Sequence, residues 1–346
     1  MTLGALDALG ARVNAALVIT KDGHVDPALG RDGRIRIIES AHPVPDERSL
    51  AAGEALVGAV RTLPAGALPL FLVSGGSSSL VESLRDDCSL ADLRALNERG
   101  LAAGWDIARL NAERASLSQL KAGGVARLLA GRHALALFIS DVPGDDPSLI
   151  GSGLLGPCGA MPDAIDRHVV ANVELAMRAA VEAGAAHGLS LEPGVARFAG
   201  DAVEVADEFV AALRTTAADG LVWGGESTVR LPARAGRGGR NTHLALAAAR
   251  RLRGAETLTI LAAGSDGSDG PTEDAGGLVD ACTVERAELA GCDVERALAG
   301  CDSGTALEAA EDLVHTGPTG TNVGDLLIGL KRGAAGASDR ATPRVV

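Results

Sequence analysis

"LPLFLVSGGSSSL", residues 68–80, runs an unbroken apolar segment into a loop of two glycines and four serines. A short apolar run without polar alternation is the pattern of a strand covered on both faces. Three further runs share it: "AALVIT" (15–20), "IRIIES" (35–40) and "ALALFIS" (134–140). Helical patterns lie between them. One covers 46–62 and is opened by Asp46, another covers 89–103 with Ser89 and Asp92 at capping-box positions, and a third covers 117–130. This alternation predicts an α/β fold built on a doubly wound, mostly parallel sheet. Two longer helices are expected, over 165–187 and 201–216.

The segment "DGLVWGGESTVRLP" (219–232) breaks the rhythm and reads as a hairpin turning at its two glycines. It marks the entry to a second domain, with strands at "ETLTILAAGS" (256–265) and "DLLIGL" (325–330). The expected organisation is a first domain over 1–216, a smaller α/β domain over 217–332 and a disordered tail over 333–346. A chain of 346 residues exceeds what one core serves, and 47% hydrophobic residues suffice for two. Aromatics are 2%, with no tyrosine, so the cores are expected to be aliphatic.

The formal charge of −13 argues against a nucleic-acid backbone or an anionic membrane as partner, while leaving room for a small anion held locally. Asp7 and Arg12 interrupt the first residues, so no secretory leader is expected, and no apolar run reaches the ~20 residues of a membrane helix. Five cysteines without CxxC spacing suggest reduced thiols and a cytoplasmic location.

In an open α/β sheet ligands sit beyond the carboxyl ends of the strands, so the loops there carry the chemistry. The loop at 74–80 offers glycine backbone and serine hydroxyls to phosphate oxygens, although alone it reads equally as a plain turn. "DVPGDDPSLIGSG" (141–153) brings Asp141, Asp145 and Asp146, which are either magnesium ligands or solvated acids. "SDGSDGPTEDAGG" (265–277) repeats the theme with Asp266, Asp269, Glu273 and Asp274, without the spacing of a calcium-binding EF-hand. In "RAGRGGRNTHLALAAA" (234–249), Arg237 and Arg240 flank two glycines at the start of a helix, a pattern suited to clamping an anion. The chain has three lysines, and Lys121 precedes "AGG" within an expected helix. Backbone donors, carboxylates and a cation after strands are the parts that phosphoryl transfer uses. No G-x-S-x-G or H-E-x-x-H occurs.

Seven segments occur in one order: "ESAHPVPDERS" (39–49), "LVSGGSSSL" (72–80), "ISDVPGDDPSLIGSG" (139–153), "GGESTV" (224–229), "GRGGRN" (236–241), "AAGSDGSDGPTEDAGG" (262–277) and "HTGPTGTNVGDL" (315–326). Together they resemble the type II glycerate kinases over about residues 12–330. The resemblance implies a Rossmann-like N-terminal domain, a C-terminal MOFRL domain and an active site in the interdomain cleft. It implies ATP- and Mg²⁺-dependent phosphorylation of D-glycerate, mostly at the 2-hydroxyl. Members of the family are sometimes labelled hydroxypyruvate reductases. Arg240 matches the active-site arginine of the Gly-Gly-Arg-Asn motif, and Lys121 is the second catalytic candidate by position. Ser74, Gly75, Gly76, Ser77, Ser78, Glu226, Asn241, Thr319, Thr321 and Asn322 are the implied substrate and nucleotide contacts. Asp141, Asp266 and Asp269 are the implied metal ligands.

Three departures mark a divergent member. The family's first strand and its Gly-Ala-Gly-Lys-Ala segment have no counterpart before Met1. An Arg-Lys-His-Leu-Ser stretch stands as Arg114-Ala115-Ser116-Leu117-Ser118. Lys-Gly-Gly is stretched to Lys121-Ala122-Gly123-Gly124, and Thr242 replaces a common glutamine. Either the protein starts further upstream than Met1, or it lacks that strand and lysine; in the second case a parallel sheet without an interior strand leaves unpaired edges, so lower stability or a homodimer is expected. Two other readings follow: a catalytically impaired nucleotide or sugar-acid binder, since one lost electrostatic group costs ~10²–10³-fold, and, last, a hydroxypyruvate reductase.

Overall fold

The computed structural model describes residues 1–331 apart from Pro43, Gly104, Asp106, 158–163 and 254–256, so the expected tail lies outside the described residues. The chain forms two compact units. The first comprises Met1–Asn172 with Pro318–Val323, and the second comprises Val173–Gly317 with the described residues from Gly324 on.

The first unit contains α1 (Thr2–Leu9), β1 (Ala16–Lys21), β2 (Ile35–Ser40), α2 (Glu47–Arg61), β3 (Leu70–Val73), the single turn α3 (Ser77–Leu80), α4 (Leu90–Ala102), α5 (Ile107–Leu117), α6 (Gly124–Leu128), β4 (Ala134–Ile139) and β5 (Ile165–Ala171). Its described strands pair in parallel but form two sheets, β1-β2 and β3-β4-β5. Among the described residues β1 pairs only with β2 and β3 only with β4, so each keeps an open edge. The expected parallel pairing is present, and the sheet is split. Val73, Leu120, Phe138, Ile150 and Leu155 form the core, with Ile19 of β1 packed against it.

Capping opens α2 as expected. The Asp46 carboxylate accepts from Arg48 N, and Asp46 N donates to Ser49 Oγ. Gly53 then lets this helix lie on the backbone of Glu82, where a Cβ would stand 1.9 Å from the carbonyl oxygen.

Two expected helices are corrected. Residues 117–130 are not one helix, because α5 ends at Leu117 and the chain turns through left-handed Ala122 (φ 47°) and Gly123 (φ 78°) before α6. The turn is tight enough that a Cβ on Gly124 would meet Gln119 O at 2.0 Å. Residues 165–171 form β5 rather than the start of a helix. Their burial alternates along the strand, and helix begins only at Val173.

The second unit contains α7 (Val173–Ala186), β6 (Leu191–Pro193), β7 (Phe198–Asp201), α8 (Ala202–Thr215), β8 (Gly220–Thr228), α9 (Arg240–Leu252), β9 (Leu258–Gly264), β10 (Gly276–Asp280), α10 (Thr283–Leu289), α11 (Val294–Ala299), α12 (Ser303–Ala309), β11 (Leu313–Val314) and β12 (Asp325–Lys331). Its seven-stranded sheet runs β11-β10-β9-β12-β8-β6, with β7 also on β8. β12 pairs antiparallel with both β8 and β9, at the centre. Helix α9 is buried from Asn241 to Ala249 and packs in a core with Phe209 and Trp223, whose rings meet edge to face at 5.1 Å.

The expected hairpin at 219–232 is instead one strand, β8, running through both glycines. These glycines serve close packing and not a turn: a Cβ on Gly224 would meet Val173 Cγ2 at 2.3 Å, and one on Gly225 would meet Phe198 O at 2.2 Å. The division between compact units also differs from the expected boundary at 216/217. It falls after Asn172, because β6 and β7 pair with β8 and α8 packs into the same core.

Candidate active site

The loops after the adjacent parallel strands β3 and β4 meet. Gly75 has no room for a side chain, since a Cβ there would lie 1.9 Å from Asp141 Oδ2. The glycine therefore brings the Asp141 carboxylate against the backbone of the Ser74–Ser79 loop. Gly76 takes a left-handed conformation (φ 79°), with His42 Nε2 3.1 Å from where its Cβ would be. Ser78 Oγ shares a hydrogen bond of 2.6 Å with Ser152 Oγ, and Ser79 Oγ donates to Gly76 O. Ser77 Oγ is buried and has no hydrogen-bond partner among the described residues.

The three acids after β4 part company. Asp145 accepts from Asn172 Nδ2 at 2.6 Å. Asp146 accepts from Ser148 N, which holds its carboxyl below the ordinary value. Asp141 makes no ion pair among the described residues, and burial pushes its carboxyl up.

Beside this loop lies a cavity of about 160 Å³, lined by His42, Gly76, Ser78, Ser79, Arg114 and Lys121 among others. Lys121 is 1% exposed and forms a buried ion pair with Glu82, which is fully buried. Ser118 Oγ donates to Glu82 Oε1, as does Ser83 N at 3.0 Å, so both carboxylate oxygens are engaged. Burial lowers the lysine's pKa, and the glutamate opposes that shift. The turn carrying Lys121 is pinned by hydrogen bonds from Ala122 N to Ser152 O and from Gly123 N to Gly153 O. Lys121 thus sits in a fixed turn and not within a helix.

In the second unit, Arg240 is the first residue of α9. Its Nε and Nη2 donate to Asp325 Oδ2 and Oδ1 at 2.5 and 2.9 Å, and its Nη1 lies 3.0 Å from Glu226 Oε1. Burial works against the guanidinium's charge, but Asp325 more than reverses this and raises its pKa. Burial also pushes Asp325 up, while Arg240 and the adjacent Asn241 hold it down. The two-pronged geometry favours the charged pair.

The expected metal ligands are not gathered here. Both oxygens of Asp269 accept backbone N–H groups of α9, from Asn241 at 2.9 Å and Thr242 at 2.7 Å. Asp269 therefore caps the helix, and the donors expected to face an anion at this helix end are already satisfied. Asp266 folds onto Ser268, accepting from its N and Oγ. Arg237, expected to share in an anion clamp, pairs with Asp274 and Glu308. No group of three His, Cys, Asp or Glu side chains placed to hold a metal occurs among the described residues. Thr319, Thr321 and Asn322 lie in the Pro318–Val323 segment of the first unit, where Thr319 Oγ1 accepts from Thr321 N.

Glu82, Arg114 and His42 were given no role by the sequence. Glu82 meets Lys121 across 39 positions, so no local pattern links them. Arg114 follows helical periodicity like any surface arginine. Only its place in the Arg-Ala-Ser-Leu-Ser stretch set it apart.

Residues 220–325 match the MOFRL family, and residues 1–183 match a domain of unknown function, DUF4147. A Thermotoga maritima protein named D-glycerate 2-kinase is 33% identical, with 95% of this chain and 87% of that one covered. An Agrobacterium vitis protein named provisionally as a hydroxypyruvate reductase is 36% identical over 93% of this chain and 94% of that one. The crystal structure of a glycerate kinase from Thermotoga maritima superposes with a TM-score of 0.85 at 32% identity, covering 95% of this chain and 87% of that one.

Proposed function

The chain belongs to the MOFRL family together with proteins named glycerate 2-kinase, and from that premise we propose that it transfers a phosphoryl group from ATP to D-glycerate, giving 2-phosphoglycerate. The observation that carries this reading from the site is the meeting of Asp141 with the Ser74–Ser79 loop. Glycine backbone, serine hydroxyls and the unpartnered Ser77 Oγ are suited to phosphate oxygens. Asp141, half-buried without a cation, is suited to Mg²⁺, which is held by one or two carboxylates together with substrate phosphates. Magnesium would neutralise charge on the phosphates. The protein's part is then to position and to stabilise charge.

Arg240 supplies the fixed cation. Asp325 sets its orientation through two oxygens, while the exposed Glu226 holds the remaining amino group until an anion replaces it. Ser74, Gly75, Gly76, Ser77 and Ser78 are the proposed phosphate contacts. Thr319, Thr321 and Asn322 offer further hydroxyl and amide groups. Asp266, with its carboxylate turned to Ser268, is the second candidate for the metal. Asp269 serves α9. Lys121 acts inside the first unit's cavity, in the role argued below.

The reductase name carried by some relatives requires a nicotinamide cofactor, and the Gly-x-Gly-x-x-Gly run at Gly151–Gly156 lies in the turn Ile150–Gly153 and not at a strand-to-helix junction, the place a dinucleotide fingerprint needs. No described helix is long and apolar enough to cross a membrane, and the described cysteines are free thiols, which accords with a cytoplasmic enzyme. ADP release at saturating MgATP tests the proposal. D-glycerate-dependent release supports it, whereas NADH oxidation with hydroxypyruvate and no ADP release overturns it.

A further inference from the structure

The cavity of the first unit carries more positive charge than its own acids answer. Two cations, Arg114 and Lys121, line it. The one carboxylate beside them, Glu82, is fully buried and spends both oxygens on Lys121, Ser118 and Ser83 N. Arg114 projects from α5 and donates one hydrogen bond, from Nε to Asn97 Oδ1 at 2.6 Å. Among the described residues its two terminal amino groups have no hydrogen-bond partner and no ion pair. A half-buried guanidinium with an unfilled fork is costly to hold and is matched in shape by a carboxylate. The net charge of −13 makes this local excess the more specific.

Size narrows the ligand. A water occupies about 30 Å³ in the liquid, so about 160 Å³ holds roughly five waters, or one acid of three or four carbons. Drug-sized ligands, and nucleotides with them, occupy pockets of about 300 Å³ and more. Ser78 and Ser79 also line the cavity, and their hydroxyl oxygens are suited to the hydroxyl groups of such an acid.

We propose that Arg114 binds the carboxylate of the small hydroxy-acid substrate in this cavity, with Lys121 as a second cation fixed in place by Glu82. The proposal rests on the kinase reading and gives its acceptor a site. Arg114 is a binding residue and Glu82 a positioning residue. The turn at Ala122 and Gly123 is pinned through its backbone, and Glu82 holds the ammonium of Lys121.

Isothermal titration of the whole chain with D-glycerate and, separately, with MgATP tests this. Arg114→Gln is expected to weaken D-glycerate binding about 100-fold or more and to leave MgATP binding unchanged. Arg114→Lys, which keeps the charge and loses the fork, should fall between the two and guards against a folding defect in the first variant. Glycerol, lacking the carboxylate, should not bind. Unchanged D-glycerate affinity in Arg114→Gln overturns the proposal, as does an equal loss of MgATP affinity. L-lactate, tartronate and glyoxylate separate the two readings. If they bind with dependence on Arg114 while D-glycerate does not, the carboxylate site stands and glycerate falls. If no small acid binds wild type, with or without MgATP, the site itself is refuted.

Discussion

Asp325 holds Arg240 with both carboxylate oxygens, at 2.5 and 2.9 Å, from the first residue of the central strand β12. One residue opens the most buried helix of the second unit and the other opens the middle of its sheet. The orientation of the guanidinium is therefore set by the core and not by a loop.

Arg240→Ala should lower kcat ~10²–10³-fold, the usual effect of removing one stabiliser of developing charge. It should also lower Tm, because Asp325 is 1% exposed and would lose its counter-charge. Adding Asp325→Asn should restore Tm but not kcat. A double variant that regains turnover would remove the arginine from the chemistry.

Glu82 and Lys121 form the most deeply buried pair of the first unit. Glu82→Gln alone should cost about 3–5 kcal/mol by stranding a buried ammonium. Glu82→Gln with Lys121→Met should recover most of that stability in denaturant melts while D-glycerate affinity stays reduced. Equal stability of Glu82→Gln and wild type would show that the lysine is neutral or solvated.

The pH response of Asp141 follows from its raised pKa. The folded chain holds this proton more tightly than the unfolded chain. Stability therefore falls as pH rises from the ordinary carboxylate range through the raised value, and the loss is full above it. Asp141→Asn should accordingly have a higher Tm than wild type at neutral pH without metal, and the gap should close in acid. Mg²⁺ with ATP should raise the Tm of wild type more than that of the variant. A variant that gains as much from MgATP would exclude Asp141 as the ligand.

The split sheet of the first unit predicts uneven protection. β4 is paired on both sides, while β1 and β3 each have an open edge. Amide exchange should be slower in β4 than in β1 or β3. Equal protection in all three would mean that something pairs with those edges in solution.

Much of the framework was legible in the sequence. β2 occupies 35–40 as read, because an apolar run between turn residues leaves little choice of element. The cap at Asp46 fixed the start of α2. Other readings failed where a glycine serves a neighbour and not its own backbone. The pair in β8 looked like a turn, yet each glycine makes room for a contact from α7 or β7 that lies far away in the chain. Lys121 looked helical because it lies within the pattern over 117–130, and the left-handed Ala122 leaves no mark in the sequence. At the site, the serine–glycine loop and Arg240 were visible by residue type. Glu82 as the partner of Lys121 and Asp325 as the partner of Arg240 were not, since long-range ion pairs have no local signature. Asp269 reads two ways in the sequence, because a helix cap and a metal ligand need the same side chain, and the structure shows it at the cap of α9.

Phosphorus NMR of the chain with ATP, Mg²⁺ and D-glycerate tests the central claim most directly. The account predicts a growing 2-phosphoglycerate resonance that matches the loss of ATP and disappears when D-glycerate is left out. A spectrum in which ATP stays intact, or breaks down equally without D-glycerate, would contradict it.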